Sequence, residues 1–210
     1  MLKSIVVFMF LIAFLGCKEN SQNSSLKDNF ENELSEQINT KATEALKFCK
    51  ENNFNTDFCI LIDMTIHSEK NRMLVYNFEK KEIERSALCA HGSGKGNKKS
   101  TGPTPLFSNE EGSLLTSLGK FKIGARSYSQ FGINIHYKLH GLEKTNNNAF
   151  QRIVVLHSYT PVSTTEIYPF HLPMGFSYGC PVTDDITMTY LDNKLKNTKK
   201  PVLLWIYYDK

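Results

Sequence analysis

Residues 133–140 read Ile-Asn-Ile-His-Tyr-Lys-Leu-His, and this alternation of apolar and polar side chains decides the fold class. Successive side chains of an extended chain point to opposite faces, so a period of two predicts a strand with one buried face. Apolar runs on both sides of this stretch predict further strands at 58–66, 73–78, 83–90, 121–124, 153–156 and 202–208. The chain is therefore predicted to be mainly β, with an antiparallel sheet.

Two other segments repeat their apolar side chains at helical spacing. An N-terminal amphipathic helix is predicted over 28–52, with a stripe formed by Phe30, Leu34, Ile38, Ala42, Ala45, Leu46 and Cys49. Asp184 can cap a short C-terminal helix that carries Ile186, Leu191 and Leu195. The predicted fold class is accordingly α+β, mainly β with two helices.

Length and charge limit the classes of function. A chain of 210 residues with 40% hydrophobic residues suits one domain with a leader. The formal net charge of +4 is spread along the chain. Because a nucleic-acid-binding protein concentrates basic residues on one face, we expect no nucleic-acid partner. Lys95, Lys98 and Lys99 lie among glycines and are interpreted as part of a solvated loop over 92–117.

The N-terminus predicts export. Lys3 precedes an apolar run at 5–15, which is shorter than the ~20 residues that span a bilayer and has the length of a signal-peptide core. Gly16-Cys17 resembles a lipobox, which predicts a signal peptide at 1–16, acylation of Cys17 and a polar tether at 17–27. An ordinary signal peptide with an incidental cysteine is the alternative. The expected location is the cell envelope, on the periplasmic side of the outer membrane or at the cell surface, held by a lipid anchor.

Four cysteines follow Cys17. Cys49 and Cys59 are near in sequence and can bridge in an oxidising compartment, or they and Cys89 can be buried free thiols. Cysteine and histidine show no metal-ligand spacing, so neither a metal nor another cofactor is predicted.

Ser177-Tyr178-Gly179-Cys180-Pro181 is the segment with the strongest chemical character. Glycine before a cysteine permits a backbone conformation closed to other residues, and successive N–H groups can then cradle an oxyanion. Pro181 favours an extended Cys180, which presents the thiol on a loop. His157 ends the apolar run 153–156 and is the candidate base. From these residues alone, a buried thiol and a core histidine remain an open alternative.

Four ordered blocks of sequence carry a family resemblance. They are Ala90–Gly94, then Phe107–Asn109 with Gly112-Ser113 and Ser117–Gly119, then Gly141–Glu143 with Asn148-Ala149 and Arg152–His157, and finally Ser177–Pro181. In this order they resemble the murein L,D-transpeptidase catalytic domain family, a relative of the YkuD-like domains. The resemblance extends from about residue 57 to the C-terminus, so it implies a catalytic domain at 57–210 with an L,D-transpeptidase-like β-sandwich or barrel.

The resemblance also implies a function and a site. Cys180 would be the nucleophile and His157 the base, oriented by the backbone carbonyl of Ser158. The N–H groups of Tyr178, Gly179 and Cys180 would hold the oxyanion. The candidate substrate contacts are His91, Arg152 and Ser177. The alternatives are a solvated turn histidine at His91, a surface ion pair of Arg152 and a structural role of Ser177 in its loop. The implied substrates are peptidoglycan stem peptides, which the enzyme would cross-link through a Cys180 thioester.

Two departures from the family pattern stand beside the site. Ser158 occupies a position that is usually glycine, and Pro181, Val182 and Thr183 follow the nucleophile where many members of the wider family carry arginine. Two alternatives to the transpeptidase stay open. One is an L,D-carboxypeptidase or endopeptidase that trims stem peptides, and the other is a non-catalytic lipoprotein that binds the wall.

Overall fold

The structure is a computed structural model that describes residues 20–100, 105–170 and 177–209, with side chains from Glu33 onward. The chain divides into two compact units between Ile38 and Asn39. Helix α1 (Asn20–Glu51) runs through this boundary. It begins inside the segment whose polar composition predicts a tether, and neither proline nor glycine interrupts it. The predicted signal peptide and Cys17 lie outside the described residues.

The second unit is built on β-strands, as predicted. The strands are β1 (Phe58–Asp63), β2 (Met73–Asn77), β3 (Glu82–Ala87), β4 (Gly94–Lys95), β5 (Lys98–Lys99), β6 (Gly119–Tyr128), β7 (Ile135–Gly141), β8 (Val155–Ser158), β9 (Val182–Thr183) and β10 (Leu203–Tyr207). Eight of them form one sheet in the order β3-β2-β1-β10-β6-β7-β8-β9, and β4 pairs with β5. The pairs β1–β10 and β8–β9 are parallel, and the other pairs are antiparallel.

The two edges of this sheet meet at Val182. Ala90, shortly after β3, donates its N–H to the Val182 carbonyl at 2.8 Å and accepts the Val182 N–H at 3.4 Å. The sheet is thus nearly closed on itself, which is the barrel form of the predicted fold. The predicted class, mainly β with two helices, is confirmed.

Burial follows the sequence patterns that predict the strands. Every residue of β1 and β10 is buried, as expected for continuous apolar runs in central strands. In β7, Tyr137 and Leu139 are buried whereas His136, Lys138 and His140 are half-exposed, so the period of two holds. The three strands that the sequence does not predict are β4, β5 and β9, which have two residues each.

Helix α2 (Asp185–Leu195) begins where its capping residue predicts. The Asp184 carboxylate accepts the Thr187 N–H at 2.8 Å, which satisfies one donor of the first turn. Leu191 and Leu195 are buried in the core. Ile186 is 60% exposed, however, and Met188 is buried from this helix.

The part of α1 that belongs to the second unit is held by its own stripe and by cation–π contacts. Ala42, Ala45 and Cys49 are buried. Lys41 Nζ lies 4.5 Å from the Trp205 ring centroid and also pairs with Asp209 at 2.7 Å. Cys49, Cys59 and Cys89 are buried free thiols. Among the described residues, no helix is long and apolar enough to cross a membrane.

Asp192 of α2 fastens the helix to the sheet. Its carboxylate accepts the Tyr137 hydroxyl at 2.7 Å and is paired with Arg126 through Nε at 2.7 Å. We expect Asp192→Ala to lower the free energy of unfolding by about 1–3 kcal/mol, because the buried Tyr137 hydroxyl would lose its acceptor. Glu82→Ala, at an exposed acid, should change it by less than about 0.5 kcal/mol. Urea denaturation measures both, and equal effects would show that the Asp192 network does not stabilise the fold.

Candidate active site

The backbone of the loop 177–181 requires glycine before the cysteine. Gly179 has a φ of +112°, which side chains rarely tolerate. A Cβ at this position would lie 2.9 Å from the Leu115 carbonyl oxygen and 3.3 Å from Arg152 Nη2. Both the conformation and the packing therefore exclude a side chain at Gly179.

Ser177 holds the shape of this loop. Its Oγ accepts the Gly179 N–H at 3.2 Å and donates to the Cys180 carbonyl at 2.5 Å. The side chain is 9% exposed. Because the hydroxyl is engaged inside the loop, the structure favours the structural role of Ser177 over the substrate contact.

The same hydrogen bonds revise the predicted oxyanion donors. The Gly179 N–H already donates to Ser177 Oγ, so it is not available to a substrate oxygen in this structure. Over the described ranges, no protein acceptor takes the N–H of Tyr178 or of Cys180. Two of the three predicted donors thus remain candidates.

His157 lies on β8, and one nitrogen of its ring is fixed by its own backbone. Its Nδ1 lies 2.9 Å from the Ser158 carbonyl oxygen. A carbonyl only accepts hydrogen bonds, so Nδ1 carries the proton and the neutral ring has its lone pair on Nε2. Nε2 is accordingly the nitrogen that can take a proton from another group.

The strand pairing brings Cys180 next to β8. His157 is the register partner of Val182, and the Val155 N–H donates to Cys180 Sγ at 3.4 Å. The sulfur also lies 3.9 Å from the Ile153 carbonyl oxygen. Val155 and His157 are two residues apart, a separation of about 6.6 Å along a strand. Among the described residues, no hydrogen bond joins Cys180 Sγ to the His157 ring. The thiol and the imidazole therefore come from neighbouring positions of adjacent chain segments.

Ser158, the departure from the usual glycine, is accommodated by the loop before β7. Its Oγ accepts the Ile133 N–H at 3.2 Å. Gly132 has a φ of +57° and packs on Ser158 so closely that a Cβ there would collide with the serine. Phe131 precedes Gly132 in this loop, and the centroid of its half-exposed ring lies 5.7 Å from that of the His157 ring. This loop therefore supports the segment that orients His157.

Burial keeps both candidate reactive groups neutral at neutral pH. Burial raises the pKa of the Cys180 thiol, and the Val155 N–H and the Arg152 charge oppose that rise in pKa. Burial lowers the pKa of His157, the hydrogen bond to the Ser158 carbonyl opposes this change, and the charge of His136 adds to it. The resting pair is a thiol and a neutral imidazole, not a preformed thiolate and imidazolium.

His91 is in the interior. It is 0% exposed, and Arg72 Nη2 donates to its Nδ1 across 2.7 Å. Arg72 is itself fully buried, which lowers its pKa to about 10. The His91 carbonyl accepts the Ser177 N–H at 2.9 Å. The expected substrate contact is therefore corrected: a buried ring cannot meet a stem peptide, and His91 supports the loop from behind.

The Arg152 guanidinium is likewise bound within the protein. Nη1 donates to the Ser108 carbonyl at 2.9 Å and to Ser117 Oγ at 2.6 Å, and Nη2 donates to the Leu115 carbonyl at 2.6 Å and to Ser113 Oγ at 3.3 Å. Because both terminal nitrogens are engaged by neutral groups of the described residues, Arg152 forms neither the candidate pairing with a substrate carboxylate nor the alternative surface ion pair there, and it anchors the segment 108–117.

Sequence reasoning missed two supports of the loop. The Val155 N–H is a backbone group, which no side-chain pattern reveals. Thr116 accepts the Gly92 N–H at 2.8 Å and donates to the Gly179 carbonyl at 3.2 Å. The blocks Phe107–Asn109, Gly112-Ser113 and Ser117–Gly119, which flank Thr116, are the sequence signals that point to this segment.

A cavity away from the candidate site offers no comparable chemistry. A cavity of about 190 Å³ is lined by residues that include Tyr137, Thr198, Lys199 and Lys200, and by none of the candidate site residues. Across the described residues, no group of three or more His, Cys, Asp or Glu side chains could hold a metal ion.

A family model described as the L,D-transpeptidase catalytic domain matches residues 30–207. The chain belongs to this family. The family is typically one of transpeptidases that act on peptidoglycan stem peptides, so membership supports a transpeptidase-like role in the cell wall. No curated protein matches the chain in sequence.

Three solved structures are similar to the chain at low identity. The helical cell shape determining protein Pgp2 of Campylobacter jejuni has a TM-score of 0.46 at 13% identity, over 73% of this chain and 48% of that one. Bd1075 of Bdellovibrio bacteriovorus has a TM-score of 0.42 at 14% identity, over 73% and 49%. An L,D-transpeptidase fragment from Xylanimonas cellulosilytica has a TM-score of 0.37 at 13% identity, over 71% and 60%. The chain spans about half the length of the first two.

The neutral resting pair predicts how Cys180 reacts with pH. Alkylation of the free protein by iodoacetamide should be slow at neutral pH and should accelerate above pH 9, the ordinary pKa of a thiol, because the Cys180 pKa is raised. The mass of the Cys180 peptide after timed exposure gives the rate at each pH. The buried thiols of Cys49, Cys59 and Cys89 serve as internal controls and should stay unmodified. A rate already at its plateau at neutral pH would reveal a preformed thiolate and contradict this prediction.

Proposed function

We propose that this protein is a peptidoglycan L,D-transpeptidase that forms cross-links between stem peptides through a thioester on Cys180. The observation that carries the proposal is the hydrogen bond from the Val155 N–H to Cys180 Sγ, two residues along β8 from His157. Family membership gives the reaction class, and this contact supports a cysteine–histidine pair within it.

The first half of the reaction forms the thioester. Cys180 Sγ attacks the carbonyl carbon of the amide between the L-centre of the third-position diamino acid and D-alanine, and His157 Nε2 takes the thiol proton. The N–H groups of Tyr178 and Cys180 stabilise the oxyanion; losing one such donor typically costs about 2.7–4 kcal/mol of barrier. The C–N bond then breaks, and the imidazolium gives its proton to the departing amine of D-alanine.

The second half forms the cross-link. An amine of another stem peptide attacks the thioester carbonyl and loses a proton to His157 Nε2. The C–S bond breaks, and the departing thiolate recovers that proton. If water attacks in place of the amine, the product is a shortened stem and the reaction is that of a carboxypeptidase. Holding the acceptor in place favours the amine over water, because positioning replaces a bimolecular encounter.

The neutral resting pair fits this sequence of steps. The thiol carries the proton that has to be transferred, and that proton moves to His157 Nε2 only as the sulfur attacks. The same imidazole is then an acid of suitable strength for the amine that leaves. The Ser158 carbonyl stabilises the imidazolium that exists between the two transfers, because it accepts the Nδ1–H throughout.

The decisive test is product analysis on purified tetrapeptide muropeptides. We expect the wild-type protein to produce cross-linked dimers and Cys180→Ser to produce none, since an alcohol is a far weaker nucleophile than a thiol paired with a base. Cys59→Ala is the matched control, because it removes a buried thiol of β1 outside the site, and it should retain near wild-type turnover.

The other products separate the alternatives. Tripeptides without dimers would replace the transpeptidase with a carboxypeptidase. Binding to sacculi that is equal in the wild-type and Cys180→Ser proteins, without any product, would indicate a wall-binding protein. Equal loss of turnover in the Cys180 and Cys59 variants would indicate a folding defect and remove the support for Cys180 as nucleophile.

We also propose that the protein is exported and anchored in the cell envelope by acylation of Cys17. The short apolar run 5–15 followed by Gly16-Cys17 supports this location. Cys17→Ser should abolish incorporation of a labelled fatty acid and move the protein from the membrane to the soluble fraction. Cys49→Ser is the control and should change neither. Unchanged labelling of the Cys17 variant would exclude this anchor.

A further inference from the structure

We propose that Arg152 is a positioning residue that fastens the nucleophile loop, residues 177–180, to the segment 108–117 and places a fixed positive charge beside the Cys180 sulfur. The inference rests on the proposed role of Cys180 as the nucleophile. It extends that role to a residue for which the sequence predicts a substrate contact.

The guanidinium of Arg152 is bound only by neutral groups in its four hydrogen bonds. Two of the acceptors are main-chain carbonyls, of Ser108 and Leu115, and two are hydroxyls, of Ser113 and Ser117. Four acceptors spread over one segment fix the plane of the guanidinium. None of them carries a negative charge, so these bonds leave the positive charge of Arg152 uncompensated.

This guanidinium lies directly against the nucleophile loop. Arg152 Nη2 is 3.3 Å from the position that a Cβ of Gly179 would occupy, and the Leu115 carbonyl that Nη2 binds is 2.9 Å from the same point. Thr116, next to Leu115, donates to the Gly179 carbonyl at 3.2 Å. Thr116 therefore bonds the segment 108–117 to the loop, and Arg152, which holds that segment, packs against the loop at Gly179, the residue before Cys180.

The backbone at Ile153 directs Arg152 inward. Ile153 has a φ of +59°, an uncommon and strained conformation for a β-branched residue. The Ile153 side chain is 75% exposed, so this backbone conformation is not explained by packing of the isoleucine in the core. On one side of it Arg152 points into the segment 108–117, and on the other the Val155 N–H points at Cys180 Sγ. The strained turn thus brings two stabilising groups to the nucleophile from one short stretch of chain.

The charge acts on the sulfur. Burial raises the pKa of Cys180, and the Arg152 charge opposes this rise. Burial lowers the pKa of Arg152, and the interaction with Cys180 opposes this fall. Pro181, Val182 and Thr183, which follow Cys180, supply no cation. The other titratable groups of the site are Tyr178 in the loop itself and His157 on β8, which is neutral at rest. His136 on β7 is the register partner of His157. Arg152 therefore favours the thiolate whenever it forms, both as attacking group and as leaving group of the thioester.

Alkylation of Cys180 tests this role without any substrate. We expect Arg152→Gln to move the pH midpoint of iodoacetamide alkylation upward and to slow alkylation below the midpoint by roughly tenfold, the change that one pKa unit gives in the thiolate fraction. Arg152→Lys keeps the charge but loses the planar fork, so it should restore most of the midpoint. Arg126→Gln is the matched control, because this arginine binds Asp192 of α2, and it should leave the midpoint unchanged.

Each outcome decides the proposal. An unchanged midpoint in folded Arg152→Gln would overturn it, and so would equal shifts in the Gln and Lys variants, because charge would then be irrelevant. If Arg152→Gln does not fold, the double variant Ser113→Ala/Ser117→Ala loosens the guanidinium while keeping its charge in the chain. A smaller upward shift is expected there, and no shift would overturn the proposal. A midpoint shift in a protein that makes no muropeptide product would refute the transpeptidase and leave the role of Arg152 beside the thiol intact.

Discussion

Val182 is the residue on which the arrangement of the site depends, because it is paired on both sides. Its main chain exchanges two hydrogen bonds with Ala90, and in the register of β8 and β9 it lies opposite His157. The first contact nearly closes the sheet, and the second brings the chain that carries Cys180 beside the strand that carries His157. Because backbone pairing fixes register to single residues, Cys180 comes to lie at the Val155 amide without any direct bond between the two reactive side chains.

The surroundings of the Cys180 thiol have opposing effects on its pKa. Burial disfavours the thiolate, whereas the Val155 N–H and Arg152 favour it. Oxidation of a cysteine follows its thiolate character and exposure, so a thiol that is protonated at rest is less readily oxidised. The same Val155 and Arg152 groups remain in place when the proton leaves and require no rearrangement at that moment. A site of this kind is reactive only when a base and an electrophile act together, which suits the role of nucleophile that we propose for Cys180.

The sequence was sufficient for the parts of the fold that repeat a pattern and insufficient for those set by tertiary pairing. β7 follows its period of two, β1 and β10 are buried as their apolar runs predict, and Asp184 caps α2. β9 has two residues and no period, and only the partner strands define it. At the site, the demand for glycine at 179 was predictable from local geometry. The orientations of the His91, Arg152 and Ser177 side chains were not predictable, because residue type does not reveal whether a polar side chain forms hydrogen bonds inside the protein or faces solvent.

The serine that replaces the usual glycine after His157 shows how such a departure is absorbed. The base uses only the carbonyl of residue 158, so a side chain there leaves the His157 contact intact. A buried hydroxyl nevertheless needs a partner, and the Ile133 N–H provides one. The close approach of Ser158 in turn requires Gly132 at a φ of +57°, where any Cβ would meet the serine. The departure therefore couples the orientation of the base to the loop that carries Phe131, whose half-exposed ring flanks His157. In this chain the rigidity of the imidazole depends on the loop before β7 as well as on the strand that bears it.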